Sequence, residues 1–195
     1  GYISLLGNTT GANNTGLGRG TLASNTTADN NTGVGYNALN QNTTGTRNNA
    51  LGANAADSIT TGSYNVAIGY NSLGVNQTGN SNTAVGDNTL NNNTASQNTA
   101  IGENSMAANT SGSNNVALGW ASLDANTTAD HNTAVGAAAL TANTTGANNV
   151  AIGSGALDAN TTAGQNIAVG RDSLGANTTG VGNIAMGHQA LYTST

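Results

Sequence analysis

The chain has 195 residues and a formal net charge of −5, with 28 Gly, no Pro, no Cys and only 6% charged residues. Asn, Thr, Gly and Ala together make up 125 of these residues, a composition that excludes the aliphatic and aromatic core of an ordinary globular enzyme. Lys and Arg number 3 in total, which excludes the basic surface that nucleic-acid binding requires. No apolar run approaches the roughly 20 residues that cross a bilayer, so membrane insertion is not expected either.

A repeat of 17 residues organises the whole sequence. Glycine recurs at this interval from Gly1 to Gly187, with one shorter interval of 16 residues between Gly86 and Gly102. Before each repeat glycine after the first, the nearest residue is a large aliphatic, the second is Ala or Gly, and the fourth is Asn. Because the pattern continues without a change of composition, we expect one continuous array of about 11.5 repeats over residues 1–195. Such an array would be uncapped and part of a longer fibre.

The residues around the repeat glycine predict β-structure. Asn, Thr and Gly are poor helix formers, and the apolar residues alternate with a period of two, as in Val66-Ala67-Ile68, which is typical of a strand. Short strands separated by Asn-Thr-Gly turns indicate an all-β fold. We therefore predict a parallel β-solenoid in which each repeat forms one coil.

The core of such a coil is expected to be thin. Each coil offers about two large apolar side chains, worth on the order of 2 kcal/mol each when buried, whereas ordering the backbone costs about 1 to 2 kcal/mol for every residue. We expect the aliphatic residues to face inward and the Ala or Gly residues next to them to face outward, where another backbone can approach closely. This arrangement predicts a homo-oligomer packed along its length, most simply a homotrimer.

The Asn four residues before each repeat glycine is predicted to form a structural ladder, because stacked amides can hydrogen bond along the solenoid axis. The alternative is a series of polar ligand sites. These residues are Asn14, Asn31, Asn48, Asn65, Asn82, Asn98, Asn115, Asn132, Asn149, Asn166 and Asn183.

A second Asn stands seven residues after the repeat glycine and begins Asn-x-Ser/Thr sequences, the acceptor for N-glycosylation. The candidate sites are Asn8, Asn25, Asn42, Asn76, Asn109, Asn126, Asn143, Asn160 and Asn177. They predict a stripe of covalent glycans, with the adjacent Thr residues as candidates for O-linked sugars. The alternative is that Asn and Thr suit a stacked turn through side-chain to backbone hydrogen bonds.

The residue directly after the repeat glycine varies widely, which predicts that it faces solvent. Four of these residues are aromatic, namely Tyr2, Tyr36, Tyr70 and Trp120. They are candidate contact residues that could stack on sugars, and the alternative is ordinary surface variation.

The sequence contains no pattern that supports catalysis. His131 and His188 occupy unrelated repeat positions, without a recurring Ser or acidic partner of the kind a catalytic triad needs. The Asp residues scatter over several positions and lack the periodic spacing of calcium-binding rolls. We therefore predict no enzyme, no metal site and no cofactor.

Four segments carry a resemblance to a known family: Asn65–Gly69, Asn82–Gly86, Asn98–Gly102 and Asn132–Gly136. They resemble the head repeats of YadA-like trimeric autotransporter adhesins, and they are similar to repeats in phage tail fibres. The resemblance extends along the whole chain. It implies a left-handed parallel β-roll, three chains wide, displayed on a bacterial surface where it binds matrix or other cells.

The primary hypothesis is therefore a structural segment of an extracellular fibre or surface filament, adhesin-like and glycan-coated, at a cell surface or on a virion. Its expected partners are copies of itself and a host or matrix surface. Two alternatives stay open. An ice-binding β-solenoid would use Thr pairs such as Thr26-Thr27, although these lie in a turn. A phage tail fibre would bind glycans or a receptor through the Tyr and Trp side chains.

Overall fold

The computed structural model describes residues 1–193, and within this range it contains strands and turns but no helix. Each strand has 3 residues and precedes a repeat glycine. The strands are β1 Thr15–Leu17, β2 Thr32–Val34, β3 Asn49–Leu51, β4 Val66–Ile68, β5 Thr83–Val85, β6 Thr99–Ile101, β7 Val116–Leu118, β8 Thr133–Val135, β9 Val150–Ile152, β10 Ile167–Val169 and β11 Ile184–Met186. No segment between residues 1 and 193 therefore forms an apolar helix of membrane-spanning length.

The chain divides into two compact units, residues 1–97 and the described residues from Asn98 onward. In the first unit, strands β1 to β5 lie in sequence order, and each pairs in parallel with the next, as in Val66 opposite Thr83. In the second unit, strands β6 to β11 follow the same rule, as in Thr133 opposite Val150. Equivalent residues of successive repeats are thus register partners, which confirms the predicted parallel β-solenoid with one coil per repeat.

The interior of each coil is narrow and contains one large apolar side chain. The Leu four residues after the repeat glycine is completely buried, as at Leu22, Leu73 and Leu140. Around it lie small residues and the two recurring Asn side chains, of which Asn31 and Asn126 are examples with no exposed surface. The core is therefore a stack of Leu side chains bordered by columns of amides, and it depends on hydrogen bonds more than a typical apolar core does.

The orientation expected for the strands is wrong, because the small residues face inward and the aliphatic residues face outward. Ala67, Ala117 and Ala151 are completely buried, whereas Leu17 and Leu118 on the outer face are 64% and 44% exposed. The reason is the small interior volume. A Cβ atom placed on Gly33 would lie only 2.5 Å from Cγ2 of Thr21, too close for any side chain. In strands β3 to β11 the same position is a buried Ala, such as Ala67.

The repeat glycine forms the corner at which the chain leaves the strand. Gly136 has a φ of 133°, a conformation that side-chain-bearing residues avoid. A Cβ atom at Gly136 would also lie 2.6 Å from both the carbonyl carbon and the carbonyl oxygen of Gly153 in the next coil. The close approach of successive corners and their backbone conformation both require glycine, which explains its strict recurrence.

Candidate functional site

The Asn four residues before the repeat glycine joins each coil to its neighbours, and we call these residues the strand Asn column. The backbone N–H of Asn48 donates to Oδ1 of Asn31 at 2.9 Å, and Nδ2 of Asn48 donates to the carbonyl of Gly62 at 2.8 Å. The same pair of bonds recurs in the second unit, where Asn132 uses Asn115 and Gly146. The column therefore connects coils mainly through side-chain to backbone bonds, and its interior members are buried.

The Asn seven residues after the repeat glycine is also an interior residue, and we call these residues the inner Asn column. Asn126 has no exposed surface, and its Nδ2 donates at 2.7 Å to Oδ1 of Asn109 and at 3.1 Å to the carbonyl of Ala129. Amide-to-amide bonds of this kind also join Asn25 to Asn8 and Asn160 to Asn143.

This geometry argues against a glycan on the inner Asn column. N-glycosylation replaces a hydrogen on Nδ2 with a sugar, yet Nδ2 points into the coil and is already a hydrogen-bond donor. The candidates that have no exposed surface are Asn25, Asn42, Asn76, Asn109, Asn126, Asn143, Asn160 and Asn177. Asn8, in the first coil, is half-buried and donates from Nδ2 to the carbonyl of Gly11. The stacked-turn alternative accounts for these residues.

The inner Asn column is interrupted once, at Ile59. This residue is completely buried at the position that Asn occupies in the neighbouring repeats. Ile has no amide, so nothing donates to Oδ1 of Asn42 in the preceding coil. Among residues 1–193, Oδ1 of Asn42 is the buried side-chain polar atom left without a hydrogen-bond partner.

The outer side of the strands forms a continuous uncharged surface in each unit, which we call the strand face. It consists of the residues one and three positions before the repeat glycine. In β9 these are Ile152 and Val150, and in β11 they are Met186, which is 71% exposed, and Ile184. No charged residue occupies either position in any strand. Exposed aliphatic residues in register over several coils are unusual on a monomer and mark an interaction surface.

The residue after the repeat glycine is exposed, and its aromatic members form what we call the aromatic row. Tyr2 is 74% exposed and Trp120 is 57% exposed, and Tyr36 and Tyr70 are each about half exposed, at 48% and 50%. The guanidinium of Arg19 lies 6.0 Å from the ring centre of Tyr2 and 5.8 Å from that of Tyr36. These distances allow cation–π attraction, so the first coils order their surface side chains through contacts within the row.

A second exposed column, which we call the hydroxyl row, was not distinguished from its Thr neighbours in the sequence. It is the ninth residue after the repeat glycine, which is Thr or Ser in every complete coil except that of Gly86, where it is Ala95. In the first unit it comprises Thr10, Thr27, Thr44, Thr61 and Thr78. In the second unit it comprises Ser111, Thr128, Thr145, Thr162 and Thr179. All ten are exposed, and their constancy despite exposure is the sequence signal that distinguishes them.

Three carboxyl groups of the described chain have a raised pKa. Burial raises the pKa of Asp57, Asp124 and Asp158 above the usual value for a carboxyl group. Within residues 1–193 there is no group of three or more metal-ligating side chains, and no cavity is found there. The exposed columns of these residues carry apolar, aromatic and hydroxyl groups.

Comparisons with known proteins give no further assignment. No protein-family model matches the chain, and neither the curated proteins nor the solved structures contain a match. Its function must therefore be argued from its own surfaces.

Proposed function

We propose that the chain is a structural segment of an extracellular fibre or surface filament in which three copies associate through their strand faces. The strand face is the observation that carries this proposal. It is uncharged, carries an at least partly exposed large aliphatic residue in each strand, and repeats with the same register, so one copy can meet another over many coils through similar contacts. A surface of this kind suits a segment that assembles along its length.

The magnitude of the apolar effect favours association over many coils. Burying the half-exposed aliphatic pair of one coil is worth about 1 to 2 kcal/mol. Association costs an estimated 4 to 15 kcal/mol of lost translational and rotational freedom. A single coil therefore cannot sustain association, whereas five or six coils in register supply about 5 to 12 kcal/mol, which is comparable to the cost. A long repeat array is what this mode of assembly requires.

The proposed number of copies rests on the shape of the strand face and on the family resemblance. Each strand presents only two outward side chains, as Val116 and Leu118 do in β7. A strip this narrow suits convergence around a central axis better than the broad face-to-face packing of two sheets. The YadA-like head repeats that this sequence resembles imply three chains, a left-handed coil and display at a cell surface, and we adopt all three in the proposal.

The aromatic row provides a second surface for an adhesin-like role. Its residues lie on the other side of the repeat glycine from the aliphatic residues, as Trp120 and Leu118 do on either side of Gly119. Exposed aromatic rings can stack on the apolar faces of sugars. In the proposed assembly, the strand faces join the copies and the aromatic row stays available for a host or matrix surface.

A matched pair of variants tests the assembly. We expect light scattering on a sizing column to give three times the 19.0 kDa mass of the chain. Leu118→Asp places a carboxylate on the strand face and is expected to yield monomers. Trp120→Asp removes a side chain of even greater exposure outside that face and is expected to leave the trimer intact. A monomeric parent chain, or equal dissociation by both substitutions, would contradict the proposed association.

A second experiment tests the location. Antibodies against the chain, visualised by electron microscopy on intact cells and virions of the source, are expected to label thin surface fibres at regular positions. Labelling confined to the cell interior would contradict the fibre assignment, whatever the oligomeric state.

A further inference from the structure

We propose that the hydroxyl row is a series of O-glycosylation sites, in which Thr and Ser oxygens receive sugars from a nucleoside diphosphate sugar. The first observation is that the ten hydroxyls are exposed and make no hydrogen bond within the part of the chain that the structure describes. A hydroxyl that is neither buried nor bonded contributes nothing measurable to the fold. Some other requirement must keep it at this position.

The Thr residues directly before most members of the hydroxyl row have hydroxyl groups with a structural role. Eight residues after the repeat glycine, the hydroxyls of Thr43 and Thr144 donate at 3.0 and 3.1 Å to carbonyl groups of the next coil. One of these positions has nevertheless become Gln77. Across eleven coils, the bonded column loses its hydroxyl once, at Gln77, and the unbonded column loses its hydroxyl once, at Ala95. The hydroxyl without a hydrogen bond is therefore retained as strictly as the hydroxyl with a structural role.

Two other columns exclude simpler reasons for this constancy. On the strand face, Thr exchanges freely with Val and Ile, as at Thr133, Val150 and Ile167, so a β-branched shape alone does not select for a hydroxyl. Directly after the repeat glycine, exposed positions accept residues as different as Asp87 and Trp120, so exposure alone does not select for one either. What is kept in the hydroxyl row is the hydroxyl group itself.

Accessibility and reaction chemistry fit a transferase substrate. The row lies outside the strand face, since Thr145 stands five residues before the start of β9 in a 17-residue coil, so the proposed trimer leaves it open. In the reaction, Oγ1 of Thr attacks the anomeric carbon of the nucleotide sugar. The new Oγ1–C1 bond forms as the C1–O bond to the diphosphate breaks, the hydroxyl proton passes to a base of the transferase, and nucleoside diphosphate leaves.

An ordered ice-binding plane would use the same hydroxyls, but the neighbouring column argues against it. Such a plane needs at least two adjacent columns of free hydroxyls. The hydroxyls of Thr9, Thr26 and Thr127 are directed to backbone carbonyls instead. The exposed hydroxyls thus form a single row, which suits attachment of individual sugars.

The test is a mass measurement on the chain purified from the organism that makes it. We expect an intact mass above that of the bare polypeptide by whole multiples of a sugar residue. β-Elimination followed by addition of a thiol should label the hydroxyl row and leave Thr43 and Thr144 unlabelled. The bare polypeptide mass, or labels on the bonded Thr residues in place of the hydroxyl row, would overturn the proposal.

Matched variants sharpen the assignment. The triple variant Thr27→Val, Thr44→Val and Thr61→Val is expected to lose the sugars of three coils. The control triple variant Thr26→Val, Thr43→Val and Thr60→Val is expected to keep them. Peptide mapping of the parent chain decides the question even if the control variant folds poorly. A negative result leaves the proposed fibre assembly unaffected, since that assembly depends on the strand face alone.

Discussion

The two units have the same coil structure, but their inner Asn columns differ at one residue. In the second unit the column is continuous, with Nδ2 of Asn143 donating to Asn126 at 3.3 Å and Nδ2 of Asn160 donating to Asn143 at 2.9 Å. In the first unit it stops at Ile59, and Oδ1 of Asn42 has no partner. The backbone turn is nevertheless retained, since the N–H of Ile59 donates to Ala56 much as that of Asn42 donates to Leu39.

This difference separates two functions of the inner Asn side chain. The backbone turn forms with either Asn or Ile, so the amide is not needed to shape the coil. The amide is needed to satisfy the polar atoms of the neighbouring coils, because a buried acceptor without a donor costs about 1 to 3 kcal/mol. Within the described residues, the first unit contains one such unpaired side-chain acceptor, Oδ1 of Asn42, whereas the Asn109 to Asn177 column of the second unit contains none.

The units differ at the strand face as well. At the position three before the repeat glycine, the first unit carries Val or Ile in one of its five strands, at Val66. The second unit carries Val or Ile in four of its six strands, the exceptions being Thr99 and Thr133. The apolar contribution to association is therefore expected to come mainly from the second unit.

The largest expected effect comes from placing carboxylates on the strand face of one unit at a time. Val150→Asp with Ile152→Asp should raise the trimer dissociation constant at least about 100-fold, because carboxylates lose hydration in an apolar interface. Asn49→Asp with Leu51→Asp, at the equivalent position of the first unit, should raise it only about 10-fold. Sedimentation equilibrium measures both constants. Equal effects would contradict the stronger contribution assigned to the second unit.

The next effect comes from interrupting the continuous Asn column. Asn143→Ile reproduces the Ile59 arrangement, removing the donor to Asn126 and the acceptor for Asn160, and should lower the free energy of unfolding by about 2 to 4 kcal/mol. Thr145→Ile, an exposed substitution in the same coil, serves as the control and should change it by less than about 0.5 kcal/mol. Urea denaturation gives both values, and equal stability of the two variants would show that the amide bonds are unimportant.

Restoring the interrupted column should have a smaller effect. Ile59→Asn supplies a donor to Oδ1 of Asn42 but removes the large apolar side chain of a coil whose fourth residue after the repeat glycine is Ala56. The hydrogen-bond gain and the lost apolar burial, each about 1 to 3 kcal/mol, should nearly cancel. Ile59→Ala removes the same side chain without adding a donor and should destabilise the chain by about 2 to 5 kcal/mol. Thermal unfolding followed by circular dichroism compares the two variants, and equal losses of stability would show that the missing donor is not the feature that matters.

The smallest effect concerns pH. Burial raises the pKa of Asp158, and repulsion from Asp172 raises it further, while backbone bonds from Ala159 and Asp158 oppose the shift. A folded pKa above the unfolded value means that the protonated form is favoured by folding, so this group adds stability as pH falls through the folded pKa. Asp158→Asn should remove that acid stabilisation and raise stability at neutral pH by a few tenths of a kcal/mol at most, given solvent screening. Urea denaturation of Asp158→Asn at acid and at neutral pH measures the change in the free energy of unfolding. An increase at acid pH would contradict the expected sign.

The sequence predicted the coil better than it predicted its surfaces. The 17-residue spacing and the alternation at Val66–Ile68 were enough to predict the parallel strands. Alternation alone does not say which face is inside, because it defines two faces without their surroundings. Interior space decided that question, since a Cβ atom added to Gly33 would clash with Thr21.

The candidate sites were predicted less well for a related reason. An Asn-x-Thr sequence is the same string of residues on a surface loop and in a stacked interior turn, so the burial of Asn126 could not be read from the motif. Constancy did not supply the missing information, because the buried Asn126 and the exposed Thr128 belong to columns that are equally constant. The variable residues of the aromatic row, such as Trp120, are exposed, as predicted.

The most direct test of the stacked coils uses disulfide formation, since the chain has no native Cys. Ala137→Cys with Ser154→Cys places thiols in adjacent coils, where the N–H of Gly155 donates to the carbonyl of Ala137 at 3.1 Å. Adjacent strands are about 4.8 Å apart, which lies within the range a disulfide spans, about 4.4 to 6.8 Å between Cα atoms. Trp120→Cys with Ser154→Cys places them two coils apart, beyond that range. The stacked coils predict rapid intramolecular oxidation of the first pair alone, and equal oxidation of both pairs, or of neither, would contradict them.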